Sequence, residues 1–215
     1  MGSRGWMVLL VLLAAVGWWH SPVSPRVPAV AALAAGAIQP ACPLPPRVAP
    51  GEEPRQSVLD GAMAPIRLQA ATLSPLAGFS IDARVLSRHD YSLGREADLS
   101  PTDLALGWQR MAEAAVLARL EINQGGRWYH YRWRDDPPIA PVEMARSSAN
   151  MHLIPADTAT AAALRAVRRD DRVRIDGWLV EAQSPDGWRW RSSTSRDDSG
   201  QGGCEVVYVC AITRL

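Results

Sequence analysis

Two reactive side chains stand out by type and setting. His152 lies with Asn150 in SSANMHLIPA, residues 147–156, where a polar run enters an apolar Leu-Ile-Pro. An imidazole there can change its charge near neutral pH. Cys204 lies in TSRDDSGQGGCE, residues 194–205. Its neighbours Gly200, Gly202 and Gly203 can turn backbone N–H groups toward an anion, and Arg196, Asp197 and Asp198 supply charge. A thiol paired with an imidazole is the nucleophile of a hydrolase or transferase. Each feature also has a plainer role. The His can bond locally and hold a loop on the core, and Cys204 can serve as a small buried hydrophobe. No Walker or dinucleotide motif is present to favour the chemical role.

A second pattern interleaves aromatics with arginine: Trp128, Tyr129, Tyr131 and Arg132 in one stretch, Trp188, Arg189 and Trp190 in another. Such surfaces stack bases, sugars or protein side chains. The same pattern arises when arginine stems lie along cross-strand aromatic pairs. The four His are scattered and no His or Cys pair has ligand spacing, so no metal and no cofactor is expected.

Composition narrows the classes. The chain has 215 residues, 47% hydrophobic, with a formal net charge of +1. All 23 cationic side chains are arginine. Residues 56–215 alone carry 19 Arg against 20 Asp and Glu. Sequence-independent nucleic-acid binding needs excess cations, and none is present. Of three cysteines, Cys204 and Cys210 fall on one strand about 20 Å apart, too far to bridge, so no disulfide framework is expected.

Residues 6–19 form an uncharged apolar run behind Arg4. This is the pattern of a signal peptide, or of a membrane anchor that borrows flanking residues. Residues 20–57 hold nine of the 17 prolines and read as an extended tether. Cys42 within it is a weak candidate for lipidation. A single domain is expected over residues 58–215.

Within that domain, residues 79–86 alternate as a half-buried strand. Ser100-Pro101-Thr102-Asp103 reads as a helix start, and a second helix is expected over about 111–120. Residues 121–134 read as a hairpin turning at Gly125-Gly126, with Tyr129, Tyr131 and Trp133 on one face. Residues 139–156 read as irregular, with one helical turn near 142–146. Asp157 caps a helix over 158–169. Residues 172–182 form a strand with a bulge expected at Gly177, and 204–212 a central strand, completing a three-strand meander. The fold class expected is α+β: an antiparallel sheet with three or four short helices. The order suits either a small, partly open β-barrel of the OB or SH3-like kind or a plain sheet with helices on one side.

SANMHLIPA (148–156), AVRRDDRVRIDGWLVE (166–181), WRWRSSTSRDD (188–198) and GCEVVYV (203–209) together resemble an uncharacterised family of bacterial envelope proteins over roughly residues 80–210. The resemblance implies an envelope location; that family has no assigned function, so it adds nothing about catalysis. The function expected is that of a non-enzymatic binding module, tethered in the inner membrane through residues 6–19 or released to the periplasm, with an envelope protein as partner. The alternative is the hydrolase or transferase that would use Cys204 with His152.

Overall fold

The structure, a computed structural model, describes residues 3–19, 27–28, 41–61, 63–195 and 204–215. Helix α1 (Ser3–Trp19) comes first, then strands β1 (Arg55–Ser57), β2 (Ile66–Arg67) and the long β3 (Thr72–Asp90). Next come α2 (Arg95–Leu99), β4 (Thr102–Gly107), a 3-10 turn (Gln109–Ala112), α3 (Ala114–Leu117) and the hairpin β5 (Leu120–Gly125) and β6 (Trp128–Trp133). The chain finishes with α4 (Pro141–Arg146), β7 (Ser148–Pro155), α5 (Thr158–Ala166), β8 (Arg172–Gln183), β9 (Arg189–Arg191) and β10 (Glu205–Arg214). The protein is α+β with a mostly antiparallel sheet and, among the described residues after α1, four short α-helices.

Strand pairing runs β3-β4-β7-β10-β8, and β8 pairs back with β3, so five strands form a ring. Every pairing in it is antiparallel except β7 with β10. The ring follows from alternation: Phe79, Ile81, Leu104, Leu106, Met151, Leu153, Ile175 and Val207 all point inward and form one core. The outer surface is not left to solvent. Met63, Ile66, Trp178, Val180 and Tyr208 form a second apolar cluster on one part of it. Leu86, Ala105, Met111, Val116, Ile139 and Met144 form a third on another. Several ring strands are therefore buried on both faces, and simple inside-outside patterning misleads.

Four sequence-based expectations change accordingly. Thr102–Gly107 is a strand, not the start of a helix; the preceding helix α2 ends at Leu99, and Ser100 takes its C-terminal cap. Residues 148–155 are a fully buried strand, not irregular chain. β8 continues through Gly177 without a bulge; the register shifts lie opposite it, on β3 between Pro75 and Ala77 and on β10 between Val209 and Ala211. Its two apolar parities face two different clusters. Finally, β9 flanks β8 rather than lying between β8 and β10, so the last three strands are not a simple meander. The Asp157 cap holds: its carboxylate accepts from Thr160 N at 2.7 Å.

The N-terminal part is corrected in two respects. Among the described residues no helix is long and apolar enough to cross a membrane. The 17 residues of α1 rise about 26 Å, short of a hydrocarbon core of about 30 Å. The transmembrane anchor expected over residues 6–19 is thereby overturned. Residues 41–57, grouped with the tether by their prolines, pack on the ring. Cys42 is disulfide-bonded to Cys210 across 168 residues of chain. Trp178 Nε1 donates to the Pro43 carbonyl at 2.8 Å, Arg47 pairs with buried Asp176 at 3.1 Å, and β1 pairs with β3. A Cβ on Gly78 would lie 2.8 Å from Pro45 Cβ, so glycine is needed where this strap crosses β3. The strap brought together two cysteines that local spacing could not pair.

Candidate functional site

The outer face of β7 passes from one apolar cover to the other, and between them it is polar. Ser148 sits under the hairpin, Ile154 belongs to the cluster around Trp178, and Asn150 and His152 lie in the seam between. In register, Asp103 of β4 faces His152 and Ala105 faces Asn150. This places a carboxylate, an imidazole and an amide side by side on the outside of the ring.

Asp103 is the centre. Its side chain is 0% exposed, and Arg127, Asn150, Ser100, His152 and the Tyr91 phenol gather around it. Arg127 Nη1 donates to Oδ1 at 2.7 Å, and Asn150 Nδ2 donates to Oδ2 at 3.4 Å. Ser100 Oγ donates to Oδ1 at 3.4 Å. His152 Nδ1 lies 2.9 Å from Oδ2, a close contact without the alignment of a hydrogen bond. A carboxylate removed from water needs such partners, since the isolated ion would cost several kcal/mol.

Arg127 comes from the tip of the β5–β6 hairpin, at φ 69°. Its guanidinium lies over the Tyr91 ring, 3.7 Å from the centroid, and 5.6 Å from the centroid of Trp190. Its backbone is held as well: its N–H donates to Tyr91 Oη at 2.9 Å, and its carbonyl accepts from Asn150 at 3.0 Å. Gln124 Nε2 donates to Asn150 Oδ1 at 2.7 Å. Trp190 completes the roof, its ring 4.7 Å from that of His152 and 6.0 Å from Trp188. Arg95 then lies over Trp188 and pairs with Asp186 at 3.1 Å. Burial pushes the Tyr91 phenol above its ordinary value, and the charge of Asp103 pushes the same way.

Comparison with protein-family models, with curated proteins and with solved structures finds no match. The geometry therefore carries the functional case alone.

The predicted residues are distributed as follows. His152 is in the seam, on a strand rather than a loop, its ring meeting Asp103 and Trp190. Cys204 is half-buried and outside the disulfide, close enough to Tyr129 to raise the pKa of its phenol. Cys204 immediately precedes β10, which runs beside the strand of His152, and the imidazole meets Asp103 and Trp190. Arg196, Asp197 and Asp198, with Gly200, Gly202 and Gly203, lie outside the described residues. Tyr129 and Tyr131 turn inward with Trp133 against the third cluster, and Tyr129 shares a hydrogen bond with Ser148. Arg132 and Arg189 are exposed, near Glu121 and Glu181. Trp188 and Trp190 are half-buried at the edge of the second cluster. The two aromatic–arginine stretches meet where Arg127, next to Trp128, reaches Trp190.

Asp103, Arg127, Tyr91 and Arg95 escaped the sequence reading. Asp103 was assigned to a helix start, and the others carry no motif. One signal was available: Ala149, Met151 and Leu153 alternate with Ser148, Asn150 and His152, which is strand periodicity. Two open surface clefts, one lined by Leu68, Gln183 and Pro185 and the other by Leu120, Glu121 and Arg134, contain none of these residues.

Proposed function

We propose that this chain is an exported, non-enzymatic binding module on an OB-like barrel, and that it takes its partner, an envelope protein, at the seam over β4 and β7. What supports the OB-like assignment is strand order. The ring β3-β4-β7-β10-β8, with helix α5 between its third and fourth strands in sequence, matches a five-stranded Greek-key barrel. Ligands of that barrel use its second and third strands and the loops between strands 1–2 and 4–5. Here those are β4, β7, residues 91–101 and, among the described residues of the β8–β10 connection, residues 184–195.

The single observation that carries the binding role is the meeting of both loops over one buried carboxylate. Tyr91 and Arg95 come from the first loop and Asp186, Trp188 and Trp190 from the second. Export is supported by the apolar α1, which suits the apolar core of a signal peptide, and by the Cys42–Cys210 disulfide, which persists in oxidising compartments.

The test has two arms. A chain carrying residues 1–215 is expected in the periplasm with Cys42 and Cys210 oxidised; cytoplasmic retention with both thiols reduced would remove export. The purified domain, cross-linked to its partner in periplasmic extract, should lose that partner at least tenfold in both Trp188→Leu and Arg95→Ala. Reconstitution with the purified partner should reproduce the loss. Unchanged affinity in both folded variants would remove the seam as the binding face.

A further inference from the structure

The seam holds the parts of an arginine-recognition site, and one arginine of the chain already occupies it. A guanidinium is recognised by a carboxylate that accepts its N–H groups and by aromatic faces along its plane. Asp103, fully buried, supplies the first at 2.7 Å, and Tyr91 and Trp190 supply the second at 3.7 and 5.6 Å. We infer that this is a guanidinium-binding pocket which Arg127 plugs in cis, and that the partner of the module inserts an arginine side chain in its place.

Three features distinguish the plug from an ordinary core ion pair. First, the three walls belong to the ring and its loops, whereas Arg127 belongs to a hairpin that forms its own two-stranded sheet. Removing Arg127 leaves the walls on a separate framework. Second, Arg127 is the second residue of the tight turn closed by Gly125 and Trp128, at φ 69°, so its side chain is presented from the tip of the hairpin. Tyr91 and Asn150 also bind the backbone of that tip. Third, the Arg127 side chain retains 18% exposure while Asp103 has none, so the arginine reaches solvent and the carboxylate does not. A lysine would not substitute, because its ammonium presents no plane to the two rings. In the resting protein the tethered arginine competes at high effective concentration, so free ligands bind weakly.

This inference rests on the seam being the binding face, and its test separates the two. The probe is Nα-acetyl-arginine amide, with Nα-acetyl-lysine amide as control, titrated calorimetrically into the full, oxidised chain. Arg127→Ala is expected to bind the arginine probe at least tenfold more tightly than the unsubstituted protein, with no comparable gain for the lysine probe. Adding Asp103→Asn to Arg127→Ala should abolish the gain. Equal affinity of Arg127→Ala and the unsubstituted protein, or an equal gain for lysine, would overturn the pocket. If Arg127→Ala does not fold unaided, the arginine probe alone should restore a cooperative melt, and failure to do so overturns the pocket equally. Partner capture that still depends on Trp188, with no arginine gain in Arg127→Ala, would remove the plug and leave the binding face standing. Capture that ignores Trp188 and Arg95 would remove the face.

Discussion

Asp103 concentrates the polar energetics of the protein. Its carboxylate has no solvent to fall back on, so each neighbour that accepts its charge matters. Arg127→Ala strips the closest cation from a buried anion, and loss of one partner from such a pair costs about 3–5 kcal/mol. Asp103→Asn keeps the shape but leaves the guanidinium without an anion, and a loss of about 3 kcal/mol is expected. Urea denaturation of both variants measures this, and losses under 1 kcal/mol in both would show that water already shares the site. Cys204 belongs at the opposite end of the range. It is half-buried and is not among the residues of the two loops proposed to meet the partner, so Cys204→Ala should cost about 1–2 kcal/mol and leave partner capture unchanged. The tyrosines set the alkaline limit. Burial raises the phenols of Tyr91, Tyr129 and Tyr131 from an ordinary value of 10.0; the charge of Asp103 adds to it at Tyr91, and the hydrogen bond with Ser148 offsets part of it at Tyr129. A raised native pKa means the unfolded chain loses its proton first. These phenols therefore contribute stability fully below pH 10 or so, and that contribution drains away as pH rises through their native values. Thermal melts between pH 8 and 11.5 should fall, and Tyr129→Phe should flatten the fall; a constant or rising melting temperature across pH 9–11 contradicts it.

At the scale of elements, β7 and β8 are the informative pieces. β8 is buried on both faces because the ring core takes Val173, Ile175 and Leu179 while Trp178, Val180 and Ala182 face the strap side. Gly177 lets this strand approach β10: a Cβ there would stand 2.1 Å from the Tyr208 carbonyl oxygen, a backbone atom that cannot turn aside. Gly177→Ala should cost about 3 kcal/mol, at the upper end for overpacking, read as a lower denaturation midpoint at unchanged m-value. A cost below 0.5 kcal/mol would mean the two strands are less closely apposed. The helix over 158–166, the hairpin over 120–133 and the strand over 205–214 were legible because cap, turn and apolar run are local signals. β4 was not, because Ser-Pro-Thr-Asp carries a helix-start signature that only Arg127 and His152, 24 and 49 residues away, override.

For the molecule as a whole, the decisive link is the strap. A disulfide closing 168 residues removes much of the freedom of the unfolded chain, and opening it is expected to cost about 2–5 kcal/mol. Cys42→Ser and Cys210→Ser should each lower the melting temperature as much as reductant does, and reductant should do nothing further to either. Limited proteolysis gives the complementary measurement: the stable fragment should begin at or before Cys42, not near Val58. A fragment starting beyond residue 57 with unchanged stability would detach the strap from the fold.

Local chemistry dictated the apolar α1, the capped α5, the hairpin and the central β10, since each depends on side chains within a few residues of one another. It also marked His152 and the aromatic–arginine stretches as unusual. Closure of the ring, the two apolar covers, the Cys42–Cys210 bond and the assembly around Asp103 depend on pairs separated by tens to hundreds of residues. No spacing rule reaches that far, because which face of a strand is covered, and by what, is settled when the elements pack.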